Sequence, residues 1–152
     1  MELFIVLHNV TSTQRIIDFA KLVFNIGNLN YLIITKVGGV GAQAGIPEVS
    51  KLAYKNNKPF IVLPDLKDAI ELFKPDGVFI FTQTAEKIFT KDLIKGKNRI
   101  MLVFSGSESG FNKLELNLGE PVKIEGLNGE ISSIALAGIV VYCIMNEGKI
   151  LK

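Results

Sequence analysis

Six consecutive small or acidic residues, Ser105-Gly106-Ser107-Glu108-Ser109-Gly110, end an apolar run over 99–104. A second glycine-bearing stretch, Glu125-Gly126-Leu127-Asn128-Gly129, follows a short extended segment over 121–124. Glycine lets backbone amides approach a ligand and adopts dihedrals that other residues avoid. Loops of this kind at strand carboxyl ends in an open α/β sheet line a ligand crevice. Three other groups could do chemistry beside them. His8, the single histidine, ends the first apolar run and is of a type that can act as acid or base; its plainer role is a hydrogen-bonded strand end. Arg15 is one of two arginines and stands at a helix start, where its guanidinium fork suits phosphate or a surface ion pair. Lys36, Lys51, Lys55 and Lys58 cluster around the second strand and helix and can meet nucleic-acid phosphates, although a solvated face is the default for lysines.

The elements that must position these groups alternate. Apolar runs at 3–7, 31–37, 60–63, 78–81 and 99–104, with the extended segment at 121–124, read as strands. Between them, 11–24 has helical spacing with Ile16, Phe19, Ala20 and Val23 on one face and Ser12 as cap. Pro47 suits the first turn of a helix, Asp65 can cap a helix over 66–73, and 84–94 reads as a short helix or helix pair. A near-uniformly apolar helix begins around Ile131-Ser132-Ser133. Strands alternating with helices give an α/β fold: one mostly parallel sheet of about six strands flanked by helices, in a single domain over 1–152.

Bulk properties narrow the class. At 152 residues the chain can bury a full core. A hydrophobic content of 48% and a mean hydropathy of +0.34 point to strands covered on both faces and to an oligomer interface. The run over 131–145 is shorter than the ~20 residues a bilayer span needs, and the amino terminus lacks signal-peptide organisation, so a cytoplasmic protein is expected. One cysteine, Cys143, and one histidine cannot build a Cys/His zinc cage, and no metal and no membrane are expected. A net charge of +2 neither demands nor opposes a nucleic-acid partner.

The order of these motifs resembles the SPOUT superfamily of RNA methyltransferases, in its SpoU-like branch, as a divergent archaeal-type stand-alone domain. The residues that carry the resemblance are Leu102-Val103-Phe104 leading through Ser105 into Gly106-Ser107-Glu108, then Ile124, then an apolar helix through Ala137-Gly138-Ile139-Val140-Val141-Tyr142. Asn9 and Arg15 match the family's amino-terminal Asn-to-Arg spacing. Thr11 stands where Gly is usual, and Ser132 occupies the place of the family's Asn. The resemblance implies a C-terminal deep trefoil knot, a homodimer, and S-adenosylmethionine held by three loops. By position those loops supply Thr82 and Gln83; Phe104, Ser105, Gly106 and Ser107; and Ile124, Gly126, Leu127, Ile131 and Ser133. It further implies Arg15 reaching over from a partner protomer as a catalytic residue, with Ser132 and Glu108 completing the site, and RNA (tRNA or rRNA) met by Asn9, Arg15 and Lys36. The expected reaction is S-adenosylmethionine-dependent RNA methylation, ribose 2'-O-directed.

Two alternatives stand beside it. A SPOUT dimer without turnover would bind S-adenosylmethionine or RNA. A dinucleotide-binding protein would use Gly39-Val40-Gly41-Ala42-Gln43-Ala44, which fits Gly-x-Gly-x-x-Ala between a strand and a helix, with Asp65 after the next strand, to hold NAD. A metal nuclease is set aside, because the partial acidic-lysine signature Glu147-Gly148-Lys149 lies in the tail without a suitably placed strand carboxylate.

Overall fold

The computed structural model describes residues 1–27 and 30–146, and the Glu147-Gly148-Lys149 stretch lies outside them. Six parallel strands form one sheet: β1 (Glu2–Val10), β2 (Asn30–Val37), β3 (Phe60–Leu63), β4 (Gly77–Phe81), β5 (Arg99–Ser105) and β6 (Glu120–Val122), in the order β3-β2-β1-β5-β4-β6. The central β1 is apolar on both faces because both are covered. Leu3, Ile5 and Leu7 join one core with Ile16 and Phe19 of α1 (Thr13–Asn25), Val49 of α2 (Ile46–Asn56) and Ala137 and Val141 of α6 (Ser133–Met145). Phe4 and Val6 join the other with Leu66 and Ala69 of α3 (Leu66–Phe73).

Local chemistry explains the boundaries. Ser12 Oγ accepts from Arg15 N at 3.2 Å and starts α1, as its position in the sequence predicts. Asp65 and Asp68 form a reciprocal capping box on α3, which ends in a left-handed Lys74. Pro47 sits in the first turn of α2, preceded by one π-helical turn at Gly41–Gly45.

Two segments differ from the sequence reading. The helix expected over 84–94 is reduced to α4 (Lys91–Ile94), because the chain before it pairs sideways instead: Lys123 N bonds Lys87 O at 2.9 Å and Phe89 N bonds Lys123 O at 2.8 Å. An unexpected single-turn helix, α5 (Lys113–Leu116), is held by a box in which Asn112 Oδ1 accepts from Glu115 N and Glu115 Oε1 accepts from Asn112 N, both at 2.8 Å. The six-stranded layer matches expectation; a trefoil knot is not established by this strand order. No helix among the described residues is long and apolar enough to cross a membrane.

Asp76 fastens the entry to β4 against β5. Its Oδ2 accepts from Asn98 N at 2.7 Å and Arg99 N at 2.9 Å, and these two bonds, Asn98 first, hold its carboxyl below the ordinary range. A depressed folded pKa contributes stability above the unfolded pKa and loses it as pH falls through the folded value. Asp76→Asn is therefore expected to be less stable than the wild type at neutral pH and indistinguishable from it in strong acid. Urea unfolding at the two pH values checks this, and an equal deficit at both would reject it.

Candidate functional site

The carboxyl ends of β4 and β5 and the start of α6 enclose a cleft of about 500 Å³. Ten residues singled out from the sequence line it: Arg15, Thr82, Gln83, Phe104, Ser105, Ser107, Glu108, Ile131, Ser132 and Ser133. Phe81 and Phe111 join them, with the Phe81 ring stacked on Phe104 at 4.9 Å. Asn9, Lys36, Gly106, Ile124, Gly126 and Leu127 are not among the lining residues.

Each member is placed by local structure. The 105–110 loop is held by its own serines: Ser105 Oγ donates to Ser107 O at 2.7 Å and accepts from Ser107 N at 3.2 Å, while Ser107 and Ser109 share a bond at 2.8 Å. Glu108 is exposed at the rim, and these hydroxyls brace the loop amides of Ser107 and Ser109. Gly106 is buried under the loop, its N–H bonded to His8 O at 2.7 Å. A Cβ there would stand 2.5 Å from Val10 Cβ and 2.8 Å from Asn9 O, so only glycine seats the loop against β1.

Arg15 Nη1 donates to Gly106 O at 2.5 Å, so in this chain the guanidinium braces the cleft of its own protomer. Ser132 is the cap of α6, its Oγ accepting from Ala135 N at 3.4 Å. Two buried polar atoms of residues that line the cleft, Gln83 Oε1 and Ser133 Oγ, lack a hydrogen-bond partner among the described residues. Such atoms are costly to bury.

Lys36 is exposed near the end of β2 and Lys51 pairs with Glu48 at 3.6 Å, both outside the cleft. In the Gly-x-Gly-x-x-Ala stretch Gly41 serves packing, since a Cβ there would meet Thr11 backbone at 2.9 Å, and Gly45 just after the stretch does the same against Ile16 Cδ1 at 3.1 Å. Asp65, part of the NAD-binding pattern in the dinucleotide reading, caps α3.

A second group escaped the sequence reading apart from His8. The register sets His8 opposite both Thr35 of β2 and Ser105 of β5. His8 Nδ1 bonds Thr35 Oγ1 at 2.7 Å, and its Nε2 meets Glu115 Oε2 of α5. His8 is fully buried and Glu115 nearly so. Phe111, which also lines the cleft, stacks on the imidazole at 6.2 Å and 14°, so the two groups are neighbours on one sheet edge. Asn112 followed three residues later by Glu115 is the one sequence signal that could have placed α5.

Comparisons with known proteins point in two directions. A family model described as RecB-family nuclease (DUF2122) matches residues 39–143. The chain is 38% identical over 150 residues to "Putative type II restriction enzyme ApeKORF2002P" of Aeropyrum pernix, covering 97% of this chain and 96% of the relative. It is 33% identical to "Putative type II restriction enzyme MjaORF1200P" of Methanocaldococcus jannaschii, covering 93% and 94%. Among solved structures it is similar to the SpoU methyltransferase AviRb from Streptomyces viridochromogenes, with a TM-score of 0.72, 13% identity, and 93% of this chain against 57% of that one.

The last likeness shows the fold of the SpoU/SPOUT methyltransferases, and at 13% identity the fold alone. Folds host many reactions, so it does not carry methyl transfer with it. The full-length relatives overturn the expected RNA methyltransferase, and with it the turnover-free SPOUT dimer and the NAD-binding alternative. They also reverse the dismissal of a nuclease.

Proposed function

The chain belongs to the family described as RecB-family nuclease (DUF2122), and we propose from that premise that it hydrolyses nucleic-acid phosphodiester bonds at the carboxyl edge of its sheet, with duplex DNA as substrate. The observation that carries this reading is the 38% identity to a relative named as a type II restriction enzyme, sustained over 97% of the chain. The edge has chemistry that suits it. Arg15 spends one guanidinium N–H on Gly106 O and retains others for a bridging phosphate. The serine loop beside it retains one hydroxyl donor, since Ser107 and Ser109 use only one of their two protons on each other, and that donor can meet a phosphate oxygen. In the reaction a water oxygen gives up one proton as it bonds to phosphorus, the P–O bond to the leaving sugar breaks, and the released alkoxide takes up a proton in return.

Incubating the purified chain with supercoiled plasmid and a divalent cation is expected to give nicked and linear DNA. Loss of a charge-assisted phosphate bond is worth about 1.5–3 kcal/mol, so Arg15→Ala should cut the rate roughly 10- to 100-fold. Intact plasmid throughout would reject the nuclease reading, and unchanged cutting by Arg15→Ala would remove that residue from it.

Three further points are proposals of ours. The cleft takes S-adenosylmethionine as a ligand, without methyl transfer, supported by the unpartnered Gln83 Oε1 and Ser133 Oγ; calorimetric titration with S-adenosylhomocysteine showing no heat would reject it. The chain is a homodimer through α6, supported by the exposure of Ile139 and Tyr142 on an otherwise apolar helix; sedimentation at monomer mass would reject that. The fold is of the SpoU-like branch and threads its last helix through a backbone loop, supported by the likeness to AviRb; a crystal structure with an unthreaded chain would reject it.

A further inference from the structure

We propose that His8, Asp65 and Glu115 form a binding site for one divalent first-row cation, with Thr35 as the positioning residue for the imidazole. One ligand atom from each of the three side chains lies within 4.8 Å of the others. They arrive from three separate places: the end of β1, the turn between β3 and α3, and α5 after β5. Nothing local requires them to meet. His8 and Glu115 are 107 residues apart in sequence.

Each ligand is already aimed. Glu115 Oε1 is occupied by Asn112 N at 2.8 Å, which turns Oε2 toward His8 Nε2. Thr35 Oγ1 holds Nδ1 at 2.7 Å. That bond fixes the ring, as outer hydrogen bonds do for metal-bound histidines, and leaves Nε2 facing Glu115 Oε2, where a cation would take the place of their direct hydrogen bond. Phe111 closes the ring face. Asp65 binds Leu66 N through Oδ1 at 2.8 Å, which anchors its carboxylate beside the other two.

Burial favours a cation at this point. Glu115 is 8% exposed and His8 0%, and a carboxylate so placed needs compensation, while the exposed Asp65 adds a second acidic ligand on the open side. A divalent cation where the three side chains meet compensates Glu115. One nitrogen and two oxygens suit Mn²⁺ or Zn²⁺ among the first-row ions.

The binding itself does not depend on the nuclease reading; use of the cation to drive hydrolysis rests on it. Calorimetric titration of the chelator-treated full chain with Mn²⁺ and, separately, Zn²⁺ is expected to give one site per chain for at least one of them. Asp65→Asn keeps an equally good helix cap and removes one anionic ligand, so it should weaken binding at least tenfold. Thr35→Val should weaken it roughly 10- to 100-fold, as loss of an outer hydrogen bond does. Failure of both ions to bind at that stoichiometry, or equal binding by folded Asp65→Asn, would overturn the site. Binding without DNA cutting would reject the nuclease reading and leave the site standing; cutting without binding would do the reverse.

Discussion

Replacing His8 with leucine is expected to lower the unfolding free energy by about 3 kcal/mol, the low end for removing one partner and leaving a buried carboxylate unpaired. The side chain is fully buried, and its two nitrogens are the partners of Thr35 Oγ1 and Glu115 Oε2. Leucine fills most of the space but leaves both oxygens facing a hydrocarbon. The low end applies because Glu115 keeps some contact with water. Adding Glu115→Gln to the variant should return part of the loss, since the amide oxygen can still accept from Asn112 N while the stranded charge is gone. Denaturant unfolding of the wild type, both single variants and the double variant measures this as a coupling of about 0.5–3 kcal/mol. Strictly additive losses would show that the two side chains do not act as a pair.

That pair also marks where sequence reading runs out. β3 at Phe60–Leu63 and α3 at Leu66–Phe73 are readable residue for residue, because their signals are local: a four-residue apolar run, then Asp65 and Asp68 at capping distance. The cleft is readable for a related reason. Its loops follow strands in sequence order, and a parallel sheet sends all those loops to one edge. The His8 group has no such signature. Its members meet only through sheet register and through α5, a helix too short to show periodicity.

The segment over 84–94 failed differently. Its helical spacing was overridden by a tertiary pairing, the two hydrogen bonds to Lys123, which no window of local sequence contains. Function failed for a third reason: the motif order reports the fold, whereas the family is fixed by identity spread along the whole chain.

Phe104→Ala is expected to cost about 3–5 kcal/mol, the usual loss for a fully buried phenylalanine. Its ring is 0% exposed and lies 4.9 Å from Phe81 and 6.1 Å from Phe19, so it joins the β5 end, the β4 end and α1 in one aromatic stack. Removing it leaves a void that the flanking rings cannot close without moving two strands. For a domain whose total stability is about 5–15 kcal/mol, this is a large fraction, and at ~2–4 °C per kcal/mol for this size the midpoint should fall by roughly 6–20 °C. Because Phe104 also lines the cleft, the loss should reach the site. At a temperature where the variant is still folded, DNA cutting should fall further than the folded fraction accounts for. Scanning calorimetry paired with the plasmid assay separates the two effects. A midpoint shift under ~2 °C would mean that the stack is not the clamp between sheet and α1; a normal shift with cutting in proportion to folded protein would confine Phe104 to the core.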